Sequence, residues 1–225
     1  MKKTLIYTSV ILNAVFIIVA VWAYLMLPIW LDDTVVKPMY ERWTTFFEEF
    51  PVQEGDIVFL GDSITEGAKW DEMFPDADIK NRGINGDTTT GVLARLAQIS
   101  AGKPAKVFIN IGTNDIAGIV NTITDARLLQ NYGEILDHLK TDSPETYVYV
   151  HSLLPRAAEF QQRIETLNVQ LRSLAFSRGA TYINLYPHFL DDDGSIKNEL
   201  SNDELHLLGR GYMLWKDIIH VQVLE

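Results

Sequence analysis

The sequence predicts an α/β domain built on a five-stranded parallel sheet and preceded by an N-terminal transmembrane helix. Two observations carry this prediction. Short apolar runs of strand type alternate with helical patterns over most of the 225 residues, and no charged residue occurs from Thr4 to Leu31. Alternation of strands and helices is typical of parallel sheets, and an apolar run of this length is typical of a membrane span.

The N-terminal segment, residues 1–31, is predicted to be a membrane anchor. Its strongly apolar part, residues 5–27, would be about 35 Å long as a helix, which is enough to cross the hydrocarbon core. Pro28 is expected to end this helix. Lys2 and Lys3 precede it, and positive charges stay on the cytoplasmic side. We therefore expect a single-pass cell-membrane protein with a cytoplasmic N-terminus and an extracytoplasmic domain.

A cleaved signal peptide is the competing interpretation of this segment. Val21-Trp22-Ala23 has the small-x-small form of a cleavage site, although the apolar region is longer than the roughly 7–15 residues of most signal peptides. Cleavage would make the domain secreted or periplasmic. A buried core helix is the least favoured alternative, because a long run that is apolar on all sides fits a globular core poorly.

Residues 32–53 are predicted to form a linker followed by a docking helix. Aromatic residues recur there at spacings of three and four among charged residues: Trp43, Phe46, Phe47 and Phe50. This is the pattern of an amphipathic helix, and we expect its apolar face to pack on the domain formed by residues 54–225. A helix lying on the membrane is less favoured because its polar face is acidic.

Strand and helix candidates alternate through the rest of the chain. The predicted strands are residues 56–60, 78–82, 106–111, 146–151 and 181–184. The predicted helices are residues 90–100, 124–140, 159–178 and 215–223. In an open parallel sheet, ligands bind beyond the carboxyl ends of the strands. The polar residues that follow each strand are therefore the candidate site.

Composition excludes several kinds of function. Nineteen basic against 30 acidic residues give a net charge of −11, which disfavours binding to nucleic acid. The absence of cysteine excludes disulfides, thiolate catalysis and cysteine–zinc sites. The glycine-rich residues 83–91 lack Gly-Lys-Ser/Thr, and the turn at Gly61 is not G-x-G-x-x-G, so no nucleotide cofactor is indicated. Asp191–Gly194 lacks the EF-hand spacing and predicts a tight turn rather than a metal site. We expect neither a cofactor nor a metal.

Ser63 follows the first predicted strand and has two interpretations. With Glu66 it has the S-x-x-E form of a capping box, in which the serine only caps a helix. As a nucleophile it would need a base and a group that orients the base. Asp203 and His206 stand three residues apart, so the carboxylate could hold one imidazole nitrogen and leave the other for Ser63. His151 is the rival base, but a hydrogen-bonded core or rim histidine is expected there.

Acyl transfer would also need donors for an oxyanion. The Gly86 N–H lies in a loop where the chain can approach closely. The Asn114 side chain and the Ser63 N–H are the other two candidates. Turn geometry alone could explain Gly86 and Asn114, but all three follow predicted strands and should share one edge of the sheet.

Four blocks of the sequence, in chain order, resemble those of GDSL-type esterases, the SGNH hydrolase superfamily. They are Gly61-Asp-Ser-Ile64, the residues from Asn81 to Thr88, Gly112-Thr-Asn-Asp115 and Asp203-Glu-Leu-His-Leu207. The resemblance covers about residues 56–215. Ile64 replaces the leucine of the family's first block, and Glu204 stands where glycine is common.

The resemblance implies a flavodoxin-like three-layer α/β/α fold, a Ser63 nucleophile, a His206 base and acid oriented by Asp203, and no cofactor. It also implies an oxyanion hole from the Ser63 and Gly86 N–H groups and the Asn114 side chain. The second block is similar to the branch with platelet-activating-factor acetylhydrolase subunits and lysophospholipase-like enzymes, which favours short acyl groups.

We therefore expect an exported, membrane-anchored serine esterase acting on a small-molecule, lipid or glycan ester, and lysophospholipase-like in type. A carbohydrate O-acetylesterase is the alternative. A non-catalytic binding module is less favoured, because every functional position carries a competent residue. The sequence carries no signal for an oligomeric state.

Overall fold

The computed structural model describes residues 2–117 and 122–225, so residue 1 of the predicted anchor lies outside the described residues. The chain divides into two compact units, Met1–Arg42 and Trp43–Glu225. The first unit contains helix α1, Lys2–Leu31, then a π-helical segment, Asp32–Val36, and the start of helix α2, Lys37–Glu49.

Among the described residues, one helical stretch is long and apolar enough to cross a membrane, and it lies near the N-terminus. A signal sequence passes the same test of length and composition. The structure therefore supports a hydrophobic N-terminal helix, and both interpretations of that helix stay predictions.

The prediction that Pro28 ends the first helix is wrong, because Pro28 lies inside α1. Residues 32–36 are also helical, where an irregular linker was expected. Proline inside a helix removes one backbone hydrogen bond but keeps a helical φ. Contacts beyond it then continue the helix: the Lys37 N–H donates to the Asp32 carbonyl, and Lys37 Nζ lies 2.6 Å from Asp33 Oδ1.

The second unit is built on a five-stranded parallel sheet with the strand order β2-β1-β3-β4-β5. The strands are β1, Ile57–Gly61; β2, Ile79–Gly83; β3, Lys106–Asn110; β4, Tyr147–His151; and β5, Thr181–Ile183. All five strands were predicted, each to within one residue at either end. The order places β3 at the centre of the sheet, with β1 and β4 on either side.

The helices of the second unit lie between and after the strands. They are α3, Ser63–Glu66; α4, Trp70–Met73; α5, Thr89–Arg95; α6, Ala97–Ser100; α7, Thr113–Ala117; α8, Asp125–Asp142; α9, Gln161–Ser177; α10, Tyr186–Phe189; and α11, Gly209–Leu224. The predicted helix at 90–100 is divided into α5 and α6. The predicted closing helix begins six residues earlier than expected, because the poor helix formers Gly209 and Gly211 concealed its first turn.

The two faces of the sheet bury separate hydrophobic clusters. Neighbouring strand residues point to opposite faces. Leu60 packs in a cluster with residues of α5, α8 and α9, whereas Phe59 packs in a second cluster with residues of α3, α4 and α11. Helices thus cover both faces, which confirms the predicted three-layer α/β/α fold.

The C-terminal part of α2 belongs to the second unit. Phe47 is 2% exposed, and the Arg82 guanidinium carbon lies 4.5 Å from the centre of its ring. Arg82 Nη2 also donates to the Phe50 carbonyl oxygen at 2.6 Å. These contacts explain why the compact unit begins at Trp43 rather than at residue 54.

Candidate active site

Ser63 is the first residue of α3, and only Asp62 separates it from the end of β1 at Gly61. The residue that caps this helix is Asp62, whose Oδ1 accepts from the Ile64 N–H at 3.0 Å. The capping-box interpretation of Ser63 and Glu66 is therefore wrong. Because Asp62 takes the capping role, the Ser63 hydroxyl is available for another partner.

That partner is His206, which lies 143 residues further along the chain. Ser63 Oγ lies 3.0 Å from His206 Nε2, and His206 Nδ1 lies 2.6 Å from Asp203 Oδ2. An ionised carboxylate only accepts hydrogen bonds, so Nδ1 carries the proton and Nε2 is free to accept the serine proton. The structure thus brings together the three residues that the sequence proposed, in the order of a catalytic triad.

Asp203 is held in its ionised form. Partial burial by itself raises the pKa of Asp203, but hydrogen bonds from the His206 ring and from the His206 and Leu205 N–H groups outweigh it and lower the pKa to about 2. The two backbone bonds measure 2.7 and 3.1 Å to Oδ1. About half of each side chain of the Asp203–His206 pair is exposed, so the site is open to solvent.

The turn between Asp203 and His206 has a backbone conformation that suits glycine, the residue common there in the family that the sequence resembles. Glu204 has a φ of +60°, a left-handed conformation that costs a residue with a Cβ roughly 1–2 kcal/mol. Glu204 therefore keeps the Asp203–His206 geometry at some cost in stability.

The loop after β2 carries Gly86, and on one side it is tied to α3, the helix that begins at Ser63. The Asn85 N–H donates to the Glu66 carboxylate of α3. On the other side, Asn114 Nδ2 donates to the Asp87 carbonyl oxygen at 2.9 Å. This bond uses one of the two Nδ2 hydrogens, so the second remains available as a donor.

Two glycines of this region are required for different reasons. Gly86 has a φ of +76° with open space around it, so its requirement is conformational. A Cβ at Gly83 would lie 2.2 Å from the Glu66 backbone nitrogen, so its requirement is close approach. Together they let β2 and its loop lie against α3.

Replacing Glu66 with alanine should lower kcat roughly tenfold while changing KM little, because the anchor between α3 and the Gly86 loop is lost. Steady-state kinetics on p-nitrophenyl acetate measure this. Glu66→Gln keeps an acceptor for the Asn85 N–H and should retain most of the activity. Equal kcat values for Glu66→Ala and wild type would show that the bond does not position the loop.

Buried acidic groups lie next to Ser63. Burial raises the pKa of Asp62 to about 7; the nearby carboxylates of Asp87 and Asp115 add to the shift, and the Ile64 N–H opposes it. Asp87 is paired with Arg95 at 2.8 Å, and both side chains are almost fully buried. The sequence analysis did not predict these buried charged groups, because an ion pair between separate elements leaves no local pattern in the sequence.

His151 is not placed to act as the base. It is 1% exposed, its ring packs 5.4 Å from the Trp215 ring, and neither ring nitrogen has a hydrogen-bond partner among the described residues. The expectation of a hydrogen-bonded histidine is therefore wrong. Burial lowers the pKa of His151 to about 3.

Tyr212 is a further residue that the sequence analysis missed. Its hydroxyl donates to the Ile64 carbonyl oxygen of α3 at 3.0 Å, so α11 is tied to the short helix that begins at Ser63. The predicted closing helix began only at residue 215, which left Tyr212 outside it.

Residues 2–117 and 122–225 contain no group of three His, Asp or Glu side chains placed to hold a metal ion.

Comparison with known families agrees with this geometry. The family model described as the GDSL-like Lipase/Acylhydrolase family matches residues 59–214, which span the sheet and the site. The chain belongs to this family. GDSL-like acylhydrolases are serine esterases, and this chain is accordingly a serine ester hydrolase.

Several relatives of this GDSL-family chain are known. It is 28% identical over 186 residues to platelet-activating factor acetylhydrolase IB subunit alpha2 of Homo sapiens, covering 76% of this chain and 79% of that protein. A platelet activating factor structure from Streptococcus pneumonia is similar with a TM-score of 0.76 and 28% identity, covering 90% of this chain and 99% of that one. A GDSL-like lipase from Bacteroides thetaiotaomicron has a TM-score of 0.70 and 26% identity, with 82% and 96% covered.

Proposed function

We propose that the chain is an exported, membrane-anchored serine esterase that hydrolyses carboxylic esters with small acyl groups. The observation that carries the catalytic part is the continuous chain of contacts from Ser63 Oγ through the His206 ring to Asp203 Oδ2, at 3.0 and 2.6 Å. The apolar α1 supports the anchor, and Lys2 and Lys3 support a cytoplasmic N-terminus.

In the acylation step, Ser63 Oγ attacks the ester carbonyl carbon while its proton passes to His206 Nε2. Asp203 holds the Nδ1 proton and stabilises the imidazolium that forms. The carbonyl oxygen becomes an oxyanion, which we assign to the Ser63 N–H, the Gly86 N–H and the free Asn114 Nδ2 hydrogen. The intermediate then collapses, the carbon–oxygen bond to the alcohol breaks, and the imidazolium gives its proton to the departing alcohol.

Deacylation repeats these steps with water in place of serine. His206 Nε2 takes a proton from a water molecule that attacks the acyl carbon, and the same donors hold the second oxyanion. Collapse releases the carboxylic acid and returns the proton to Ser63 Oγ. The half-exposed His206 is suited to this step, because about half of its side chain is open to solvent.

Two observations support small acyl groups. The human relative is named as an acetylhydrolase subunit, and the second sequence block resembles the same branch of the family. The alcohol portion is proposed to be a lipid, as in a lysophospholipase-like enzyme. Acetylated glycans are the competing substrates, and they form a separate arm of the test.

We expect hydrolysis of p-nitrophenyl esters to be fastest for acetate and to fall as the acyl chain lengthens, and we expect the activity to stay with washed membranes. The full chain in detergent should be assayed with the graded p-nitrophenyl series, lysophospholipids and acetylated sugars, and labelled with a fluorophosphonate probe. Faster release of acetate from sugars than from any lipid would favour the carbohydrate esterase. A folded wild type that resists the probe would refute the esterase proposal.

A further inference from the structure

Arg156 lies beyond the end of β4 and next to the start of α7, the helix that carries Asn114. Its Nη1 donates to the Thr113 carbonyl oxygen at 2.9 Å and to Thr113 Oγ1 at 3.1 Å. Its guanidinium carbon lies 5.0 Å from the centre of the Phe160 ring. Its own carbonyl oxygen accepts from the Ile196 N–H at 3.0 Å. These contacts hold the guanidinium in one place beside the proposed oxyanion donor.

The charge of Arg156 acts on the acidic groups that flank the reacting atoms. Burial lowers the pKa of Arg156, and the carboxylates of Asp62, Asp203 and Glu159 oppose that shift. Asp62 directly precedes Ser63, and Asp203 contacts His206. The field of this cation therefore extends over both the proposed nucleophile and the proposed base.

Part of the hydrogen-bonding capacity of Arg156 is unused. A guanidinium has five N–H donors, and within the part of the chain that the structure describes only Nη1 has acceptors. The half-buried side chain leaves Nε and Nη2 accessible, and no described carboxylate forms an ion pair with it. Arg163, which is also half-buried, instead has the Asp125 carboxylate at 2.7 Å.

We propose that Nε and Nη2 of Arg156 bind an anionic group, a carboxylate or a phosphate, on the alcohol portion of the ester substrate. The planar guanidinium fork matches both groups in a bidentate manner. A chain with a net charge of −11 repels anions in general, so a fixed cation at the site would offset that repulsion locally. The inference rests on the proposed esterase function and adds the charge class of its substrate.

The test compares two acetate esters that differ mainly in charge, para-acetoxybenzoate and its uncharged methyl ester. The acetate ester of glycerol phosphate is added as a substrate that carries a phosphate. With the purified full chain in detergent, Arg156→Gln should lower kcat/KM for the anionic esters roughly 10- to 100-fold more than for the methyl ester. Arg156→Lys should recover part of that loss, because it keeps the charge but not the fork. Arg163→Gln is the matched control and should leave the ratio of anionic to neutral rates unchanged.

The outcomes separate this inference from the function it rests on. A selective loss for either anionic ester supports the site and tells a carboxylate from a phosphate. Equal losses for charged and neutral esters, in a variant that still reacts with the fluorophosphonate probe, would overturn the anion site and leave Arg156 only its contact with Thr113. A wild type that does not react with the probe would overturn the esterase function, and this inference with it.

Discussion

Replacing His206 with alanine is expected to lower ester turnover by roughly 10⁴- to 10⁶-fold. Without Nε2 at 3.0 Å from Ser63 Oγ, no other group among the described residues is placed to take the serine proton. Ser63→Ala should lose about as much. The double variant should lose no more than either single one, because residues of a triad act as a unit. The measurement is kcat/KM on p-nitrophenyl acetate.

Controls for this prediction come from the same chain. Ser63→Ala should not react with a fluorophosphonate probe, whereas His138→Gln changes a helical histidine that contacts Ser100 and Asp142 and should keep both labelling and turnover. Labelling of Ser63→Ala at the wild-type level would show that another residue is the nucleophile. A greater loss from a change at His151 than at His206 would show that the base is misassigned.

Acidification from about pH 6.5 to pH 3 is expected to cost wild type about 4 kcal/mol of unfolding free energy relative to a His151→Leu variant. The pKa of His151 is about 3 in the folded protein, because burial disfavours the charged ring, and about 6.5 in an unfolded chain. Between these values the unfolded state binds a proton at this residue and the native state does not. The contribution of His151 to the unfolding free energy therefore decreases as the pH falls.

The contribution of His151 to the pH dependence of stability can be isolated only from the difference between wild type and variant. Asp62 changes the stability with pH in the opposite direction. Burial raises the pKa of Asp62 to about 7, so the native state holds a proton there that the unfolded state releases above about pH 4. Its contribution therefore rises as the pH falls from about 7 to 4. The two trends oppose each other in wild type, and removing His151 should expose the contribution of Asp62.

Denaturant unfolding of the full chain in detergent at several pH values measures the difference. His151→Gln is the matched variant, because it removes the titration but keeps a polar group in the apolar surroundings. It should be less stable than His151→Leu at every pH, since a buried amide without partners is costly, yet show the same altered pH trend. A gap between wild type and His151→Leu that stays constant with pH would contradict the depressed pKa.

The strands and long helices could be predicted from the sequence, because they follow local patterns. An apolar run such as Ile57–Gly61 is buried on both faces of the sheet, and its length and β-branched content do not depend on distant partners. The short helices, among them the four-residue α3, could not be predicted, because a single turn carries too few residues for a period to appear.

The site residues were also found in the sequence, through the Asp203–His206 spacing and the four family blocks, since these motifs consist of residue types at short fixed distances. The sequence alone could not decide whether Ser63 caps a helix or faces a base. Both interpretations use the same serine at a strand-to-helix turn, and the deciding contact lies 143 residues away.

The tertiary structure decided what depends on distant neighbours. In the folded chain Asp62 caps α3, and the Glu66 carboxylate accepts from the Asn85 N–H. His151 is buried with no hydrogen-bond partner among the described residues, and Arg156 keeps unused donors beside Thr113. Residue type and spacing determined which groups were available for chemistry. Burial and contacts between separate elements determined which of them are ionised, which are positioned, and which are removed from solvent, because these properties belong to the folded surroundings rather than to the local chain.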